Sequence, residues 1–263
     1  MKTRQVIDHI VNWLKSYLEE SGQKGFVVGV SGGIDSAVTS KLVALTGYPV
    51  LCVEMPIHQN KAQVSRALKH IDELQKVHGN VMTASVDLTR VFDLFIGELP
   101  QAADSDEKAM SLVNSRARLR MTTLYYFAAL NRYIVAGTGN KVEDFGVGFY
   151  TKYGDGGVDI SPIADLLKTE VYKLAEELEV IDEIIKAPPT DGLWGDDRSD
   201  EDQIGASYPE LEWAMKQKEN HKNPSDFTGR EREVYDIYLR YNRINQHKMN
   251  PIPVCEIPSH LKN

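Results

Sequence analysis

The residues best equipped for chemistry lie in the stretch Gly29-Val30-Ser31-Gly32-Gly33-Ile34-Asp35-Ser36. It follows the apolar run Phe26-Val27-Val28 and precedes a helix-like run from Ala37 to Leu45. A buried strand feeding a glycine-rich turn that opens a helix aims backbone N–H groups and the positive end of the helix dipole at one point, which makes an anion site. Gly32 and Gly33 lack Cβ atoms and let the backbone bend sharply and approach a phosphate. Ser31 and Ser36 add hydroxyl donors, and Asp35 puts a carboxylate where a phosphate-bound Mg²⁺ can be held. No lysine follows the glycines, so the stretch is not a P-loop, and it lacks the G-x-G-x-x-G spacing of dinucleotide sites. An ordinary strand–turn–helix connection needs one polar capping residue, not this dense set. A second glycine-rich turn, Gly137-Thr138-Gly139-Asn140, follows the apolar run Tyr133-Ile134-Val135-Ala136.

The elements that must position these turns follow from periodicity. Val6, Ile7, Ile10, Val11, Leu14 and Leu18 recur at helical spacing from Thr3 to Glu20, flanked by Trp13 and Tyr17, and Gly22 and Gly25 end the helix. Phe26 to Val30 reads as a central strand buried on both faces. A helix over Ala37–Leu45 closes at Gly47, and Pro49 introduces a second strand, Val50–Met55. Asn60 caps a helix running to about His78. Val81–Leu88 is a weakly alternating third strand, followed by a short helix over Val91–Leu99. Residues 101–106 are polar and exposed, and Glu107–Asn131 is a long helix that delivers the fourth strand, Tyr133–Ala136. Asp159-Ile160-Ser161-Pro162 reads as a short fifth strand and Lys168–Glu179 as a helix. Residues 188–203 form a loop without periodicity, a candidate lid. Helices over Tyr208–Lys218 and Thr228–Gln246 follow, then a Pro-rich tail over 250–263. Strands alternating with helices predict an α/β fold, a doubly wound, mostly parallel sheet of about five strands flanked by helices. Ligands then bind at the C-terminal strand ends near the switch point, where both glycine turns fall. No composition break divides the chain, so one domain is expected over 1–263, its C-terminal part helical over about 205–248.

Bulk composition narrows the function classes. The chain has 263 residues and a formal net charge of −8, which argues against a nucleic-acid partner. Its two cysteines, Cys52 and Cys255, offer neither a disulfide framework nor zinc spacing and fit a reducing cytoplasm. Cys52 lies in an apolar run and reads as a core residue. No apolar run approaches transmembrane length, and the N-terminus leads into an amphipathic helix rather than a signal-peptide core.

The first loop resembles the SGGxDS pyrophosphate loop of the N-type ATP pyrophosphatases, which cleave ATP to AMP and pyrophosphate to activate a carbonyl or carboxylate. Read together with Gly137-Thr138-Gly139-Asn140-Lys141-Val142-Glu143 and Tyr150-Thr151-Lys152-Tyr153-Gly154-Asp155-Gly156, the chain resembles NAD synthetase from about Gln5 to Lys248. Asp159, Lys168-Thr169-Glu170-Val171-Tyr172, Lys186-Ala187-Pro188-Pro189-Thr190 and His247-Lys248 fit the same pattern.

The resemblance implies a Rossmann-like, adenine-nucleotide alpha-hydrolase-like fold and a ligase that converts deamido-NAD to NAD with ATP, Mg²⁺ and a nitrogen donor. It implies that Gly29, Val30, Ser31, Gly32, Gly33, Ile34, Asp35, Ser36, Thr138, Lys168 and Thr190 bind ATP. Arg118, Lys152, Asp159, His247 and Lys248 would bind deamido-NAD, and Asp35, Lys152 and Lys168 would be catalytic. Asp35 would hold the metal together with a second carboxylate. Counting forward from Thr138 puts that carboxylate on Glu143, and counting back from Lys152 puts it on Asp144; Glu143 is preferred. Beside these roles stand plainer ones: a solvated basic helix face for Arg118, an exposed helix-start lysine for Lys168, and helix C-terminal cations for His247 and Lys248. The chain spends its length on the synthetase part and has no cysteine in a nucleophile context, so ammonia is the expected donor. The resemblance also implies a homodimer, with Leu124-Tyr125-Tyr126-Phe127 suited to its interface or equally to an ordinary core. The rival readings are a GMP synthetase-like or tRNA-modifying member of the same superfamily and a non-catalytic adenine-nucleotide sensor.

Overall fold

The computed structural model describes residues 1–190 and 199–262. Residues 191–198, the middle of the loop read above as a lid, lie outside the described residues. Four parallel strands form the sheet, in the order β3-β2-β1-β4: β1 is Gly25–Gly29, β2 Val50–Glu54, β3 Val81–Ser85 and β4 Tyr133–Val135. Phe26 pairs with Val50 on one side and Ile134 on the other, so β1 is interior. Phe26, Val27 and Val28 are fully buried, each contributing on the order of 2 kcal/mol of apolar burial.

Helices α1 (Thr3–Ser21), α2 (Ile34–Ala44), α3 (Lys61–Val77) and α6 (Lys168–Glu177) pack into one core with Phe26, Val28, Val50 and Cys52. All of the α1 stripe but the half-buried Val6 is buried as its spacing predicts, and Gly22 closes the helix at φ 65°. Helices α4 (Thr89–Glu98) and α5 (Asp106–Asn131) cover the opposite face, against Val27, Leu51, Val53 and Val135. Cys52 is buried as expected, its thiol pushed up to about 12 by burial. The order of strands reverses between β1 and β4, so the loops after these two strands share one crevice.

The fifth strand is a correction. Ile160 makes only an isolated parallel bridge to Ala136. Asp159 Oδ2 accepts from the Val135 N–H at 2.8 Å, so a side chain takes the place of a ladder acceptor. Pro162, which has no N–H, stands where a continued strand would need a donor.

Beyond the sheet lies a second core. A π-helical turn, Val142–Val147, buries Val142 and Val147 against α8 (Asp200–Ile204), α9 (Tyr208–Glu219) and α10 (Gly229–Ile244), chiefly Ile204, Leu211, Tyr235 and Tyr238. Two short helices, α7 (Asp182–Ile185) and α11 (Gln246–Met249), complete the arrangement. Among the described residues no helix is long and apolar enough to cross a membrane.

Candidate active site

The loop after β1 is tied to itself before it binds anything. Ser36 Oγ donates to the Gly33 carbonyl at 2.9 Å and accepts the Ser31 N–H at 3.2 Å. Gly33 is the N-cap of α2 and supplies no side-chain acceptor, which leaves the first N–H groups of that helix for an anion. Gly32 sits at φ 83°, and a Cβ there would lie 2.6 Å from the Gln63 carbonyl oxygen, so the loop is pressed against the first turn of α3. Only glycine meets both conditions.

Asn140, fully buried, joins this loop to the one after β4. Its Nδ2 donates to Asp35 Oδ1 at 3.1 Å, and its Oδ1 accepts the N–H groups of Val142 and Glu143, each at 3.1 Å. It thereby fixes the start of the π-helical turn that carries Glu143.

Lys168 stands between the two loops. It begins α6, yet it is 3% exposed, not the solvated helix-start lysine that its position alone suggests. Its Nζ donates to Asp35 Oδ2 at 2.6 Å and to Glu143 Oε1 at 3.0 Å. The side chains of Asp35 and Glu143 each retain 17% exposure. Burial, helped by the charge of Glu143, raises the Asp35 pKa against the pull of Lys168. Burial opposes the charge on Glu143 as well, but there Lys168 and Tyr208 outweigh it and the pKa falls below the ordinary value. Burial would lower the Lys168 pKa; the two carboxylates outweigh it and raise it. Asp144 lies beside this pair, and a Cβ on Gly139 would be 2.1 Å from its Oδ2. Burial and the neighbouring Glu143, Asp155 and Asp35 push its pKa well up.

These groups open into a cavity of about 270 Å³ lined by all eight residues of Gly29–Ser36 together with Thr138, Glu143, Asp144, Lys168 and Thr190. Every expected ATP-binding residue therefore reaches one space. Among the described residues no three His, Cys, Asp or Glu side chains form a metal cage. Asp35 and Glu143 nevertheless converge on one cation, the Lys168 ammonium, and a pair of carboxylates completed by phosphate oxygens is the donor set Mg²⁺ takes. Of the two acids weighed for the second carboxylate, it is Glu143 that shares Lys168 with Asp35.

The residues expected to bind deamido-NAD sit beside this cavity, not on its wall. Arg118 of α5 donates to the Lys152 carbonyl at 3.3 Å, and Lys152 Nζ donates to the His247 carbonyl. Lys248 Nζ donates to the carbonyls of Gly148 and Tyr150, both at 2.8 Å, and lines an adjoining depression of about 200 Å³ with Asp144, Tyr150 and Asp155. Asp159 stands apart, its carboxylate accepting from Tyr125 Oη and Val135 N.

Several residues of the site carry no signal of their own in the sequence. Tyr208 donates to Glu143 Oε1, and Arg120 holds the Met55 carbonyl at 2.9 Å and Gln59 Oε1 at 2.8 Å on the cavity wall. Glu54, 4% exposed and bonded by Ser85 Oγ at 2.7 Å, is the exception: a lone acid ending an apolar strand at the ligand edge of the sheet.

The model of the NAD synthase family matches residues 6–251. The chain is 35% identical to an NH(3)-dependent NAD(+) synthetase of Carboxydothermus hydrogenoformans over 253 residues, covering 95% of this chain and 96% of the relative. Two solved structures are similar throughout. One, the NMN synthetase of Francisella tularensis, has a TM-score of 0.82 at 28% identity and spans 98% of this chain and 99% of that one. The other, the NH3-dependent NAD synthetase of Campylobacter jejuni in complex with the nitrate ion, has a TM-score of 0.78 at 26% identity and spans 97% and 100%.

Proposed function

The chain belongs to the NAD synthase family, and we propose on that premise that it amidates deamido-NAD to NAD with ATP and ammonia, releasing AMP and pyrophosphate. The observation that carries this reading is the Lys168 ammonium, buried between the carboxylate of the phosphate loop and that of the second loop, facing a cavity. A nicotinate carboxylate is a poor acyl donor. Its oxygen attacks the α-phosphorus of ATP, pyrophosphate leaves, and ammonia then attacks the acyl carbon of the adenylate, with AMP as leaving group. No protein nucleophile is needed. Charge builds on the departing phosphates, so the protein's task is positioning and electrostatic stabilisation.

In this reading the N–H groups and hydroxyls of Gly29–Ser36 hold the pyrophosphate, Thr138 and Thr190 line the rest of the nucleotide, and Lys168 neutralises charge between the loops. Asp35 and Glu143 would hold Mg²⁺, which when bound offsets the charge of the triphosphate. Arg118, Lys152, His247 and Lys248 form the patch that takes deamido-NAD, and Asp159, whose carboxylate is taken up by Tyr125 Oη and Val135 N, stands apart from it. Pairing the nucleotide cavity with an adjoining patch suits a reaction between two nucleotides.

We infer a homodimer from α4 and α5: Leu124, Tyr125 and Phe127 of the expected interface pack on the sheet core, but Tyr126, with Leu94 and Leu130, is more than half exposed. A sedimentation mass of one chain would refute it. The free thiols of Cys52 and Cys255 favour a cytoplasmic enzyme. The activity is tested by pyrophosphate release from the purified chain. Release should require both deamido-NAD and ammonium, with nicotinate mononucleotide, xanthylate and tRNA as alternative acceptors. Release with one of those and none with deamido-NAD overturns the substrate, and equal turnover with glutamine in place of ammonium overturns the nitrogen donor.

A further inference from the structure

Tyr208 belongs to none of the sequence motifs, yet it touches two of the three charges at the centre of the site. It opens α9 and is 3% exposed. Its backbone is fixed locally, because Ser207 and Glu210 form a capping box and the Tyr208 N–H donates to Glu201 Oε1 at 2.8 Å. Its ring centroid lies 4.7 Å from Lys168 Nζ, within cation–π range. Its hydroxyl lies 2.5 Å from Glu143 Oε1 and 3.2 Å from Asp200 Oδ2. A phenol has one proton, and the shorter contact takes it.

Glu143 Oε1 thus accepts two donors, Lys168 Nζ and Tyr208 Oη. We propose that Tyr208 is a positioning residue for adenylate formation: its hydroxyl holds the Glu143 carboxylate in one orientation, and its ring holds the Lys168 ammonium against it. The inference rests on the function proposed above. Two anchors on one oxygen stop the carboxylate from rotating where it lines the cavity. Without the hydroxyl, Glu143 is left with Lys168 and the Asn140 amide, both shared with Asp35, so its orientation loosens without loss of its charge. A preorganised charge is worth more than a mobile one because no reorganisation is needed as the reaction proceeds.

The test uses Tyr208→Phe, which keeps the ring and removes one oxygen. Adenylate formation, followed by pyrophosphate release, should slow ten- to a hundredfold at saturating substrates. The Mg²⁺ concentration for half-maximal rate should rise several-fold, and KM for deamido-NAD should stay within twofold. Calorimetric titration of the apoprotein with α,β-methylene-ATP should show weaker binding of the Mg²⁺ form and unchanged binding of the metal-free form. In a Glu143→Gln background, Tyr208→Phe should change that binding by less than twofold, because the partner through which it acts is gone. An unchanged Mg²⁺ requirement overturns the proposal, as does a Tyr208→Phe effect that multiplies fully with Glu143→Gln. If the wild-type chain makes no NAD, the function falls, and the binding arm still decides the role of Tyr208.

Discussion

Replacing Lys168 with methionine removes the one ammonium between Asp35 and Glu143 and leaves a side chain of similar length. At an effective dielectric of about 20, its contacts at 2.6 and 3.0 Å amount to about 5–6 kcal/mol of attraction each before desolvation. Desolvation of the three groups takes back much of that, but the variant keeps the cost of two carboxylates without their counter-charge. The expected loss is about 3–5 kcal/mol at pH 8, the range seen when one partner of a buried pair is deleted. Against a total stability of roughly 5–15 kcal/mol, this loss lowers the melting temperature by on the order of 10 °C. The pH dependence carries the sharper test. Without Lys168, both folded-state carboxyl pKa values lie above their unfolded values near 4. A carboxyl raised in this way destabilises the fold at high pH, and the penalty fades as pH falls through the raised value. The gap between wild type and Lys168→Met should therefore narrow from pH 8 toward pH 5. Asp35→Asn added to Lys168→Met should regain about 1–2 kcal/mol, because one stranded charge is removed. Urea unfolding at the two pH values measures all of this, and pyrophosphate release should fall about 10²–10³-fold in parallel. A Lys168→Met protein within 1 kcal/mol of wild type at pH 8, or a gap that does not shrink on acidification, refutes the reasoning.

Two other perturbations separate the site from its scaffold. His70 is fully buried between α2 and α3, its Nε2 2.8 Å from Ser40 Oγ, and burial, helped by Lys41, lowers its pKa from 6.5 to about 4. A base depressed in the folded state stabilises it fully above the unfolded value, so about 3 kcal/mol should be lost as pH falls from 6.5 toward 4. His70→Met should remove that part of the acid sensitivity in urea titrations; an unchanged pH slope would count against it. Gly32→Ala meets both φ 83° and the Gln63 carbonyl, whereas Gly47→Ala meets φ 79° and open space. Both should cost about 1 kcal/mol or more in stability, but only Gly32→Ala should lower kcat/KM for ATP, by at least tenfold. Equal activity in the two would show that the close packing of the phosphate loop on α3 is dispensable.

What could be read in the residues and what could not divide along physical lines. Phe26–Val28 announces a central strand because burial on both faces removes every polar position. The two glycine turns stand out because a backbone that must bend and approach an anion needs residues few other places need. Lys168 is the counter-example. At a helix start it reads as a solvated cation, and only resemblance gave it a role, because its burial is made by Asp35, 133 residues away. Asn140 and Tyr208 meet Asp35 and Glu143 across 105 and 65 residues, and no local pattern encodes such contacts. The extra fifth strand arose differently: Asp159-Ile160 has strand-like composition, but the Asp159 carboxylate itself satisfies the Val135 N–H.

The π-helical turn explains why the C-terminal helices are needed at all. Its i→i+5 geometry suits no 3.6-residue pattern and leaves carbonyls at its end without helical partners. Side chains three residues apart along α10 and into α11 supply the missing donors: Asn242 to the Gly146 carbonyl at 2.6 Å, Asn245 to Val147 at 2.8 Å, and Lys248 to Gly148 and Tyr150 at 2.8 Å. A Cβ on Gly148 would stand 2.4 Å from Asn245 Cβ, so helix and turn touch with no room to spare. The same helices bury Val142 and Val147, and α9 brings Tyr208 onto Glu143. One packed unit thus fixes where Glu143 points at one end of the turn and where the Lys152 loop begins at the other. The sheet places the phosphate loop, the C-terminal helices place the second carboxylate and the adjoining cationic loop, and the Lys168 ammonium is the point at which the two halves meet.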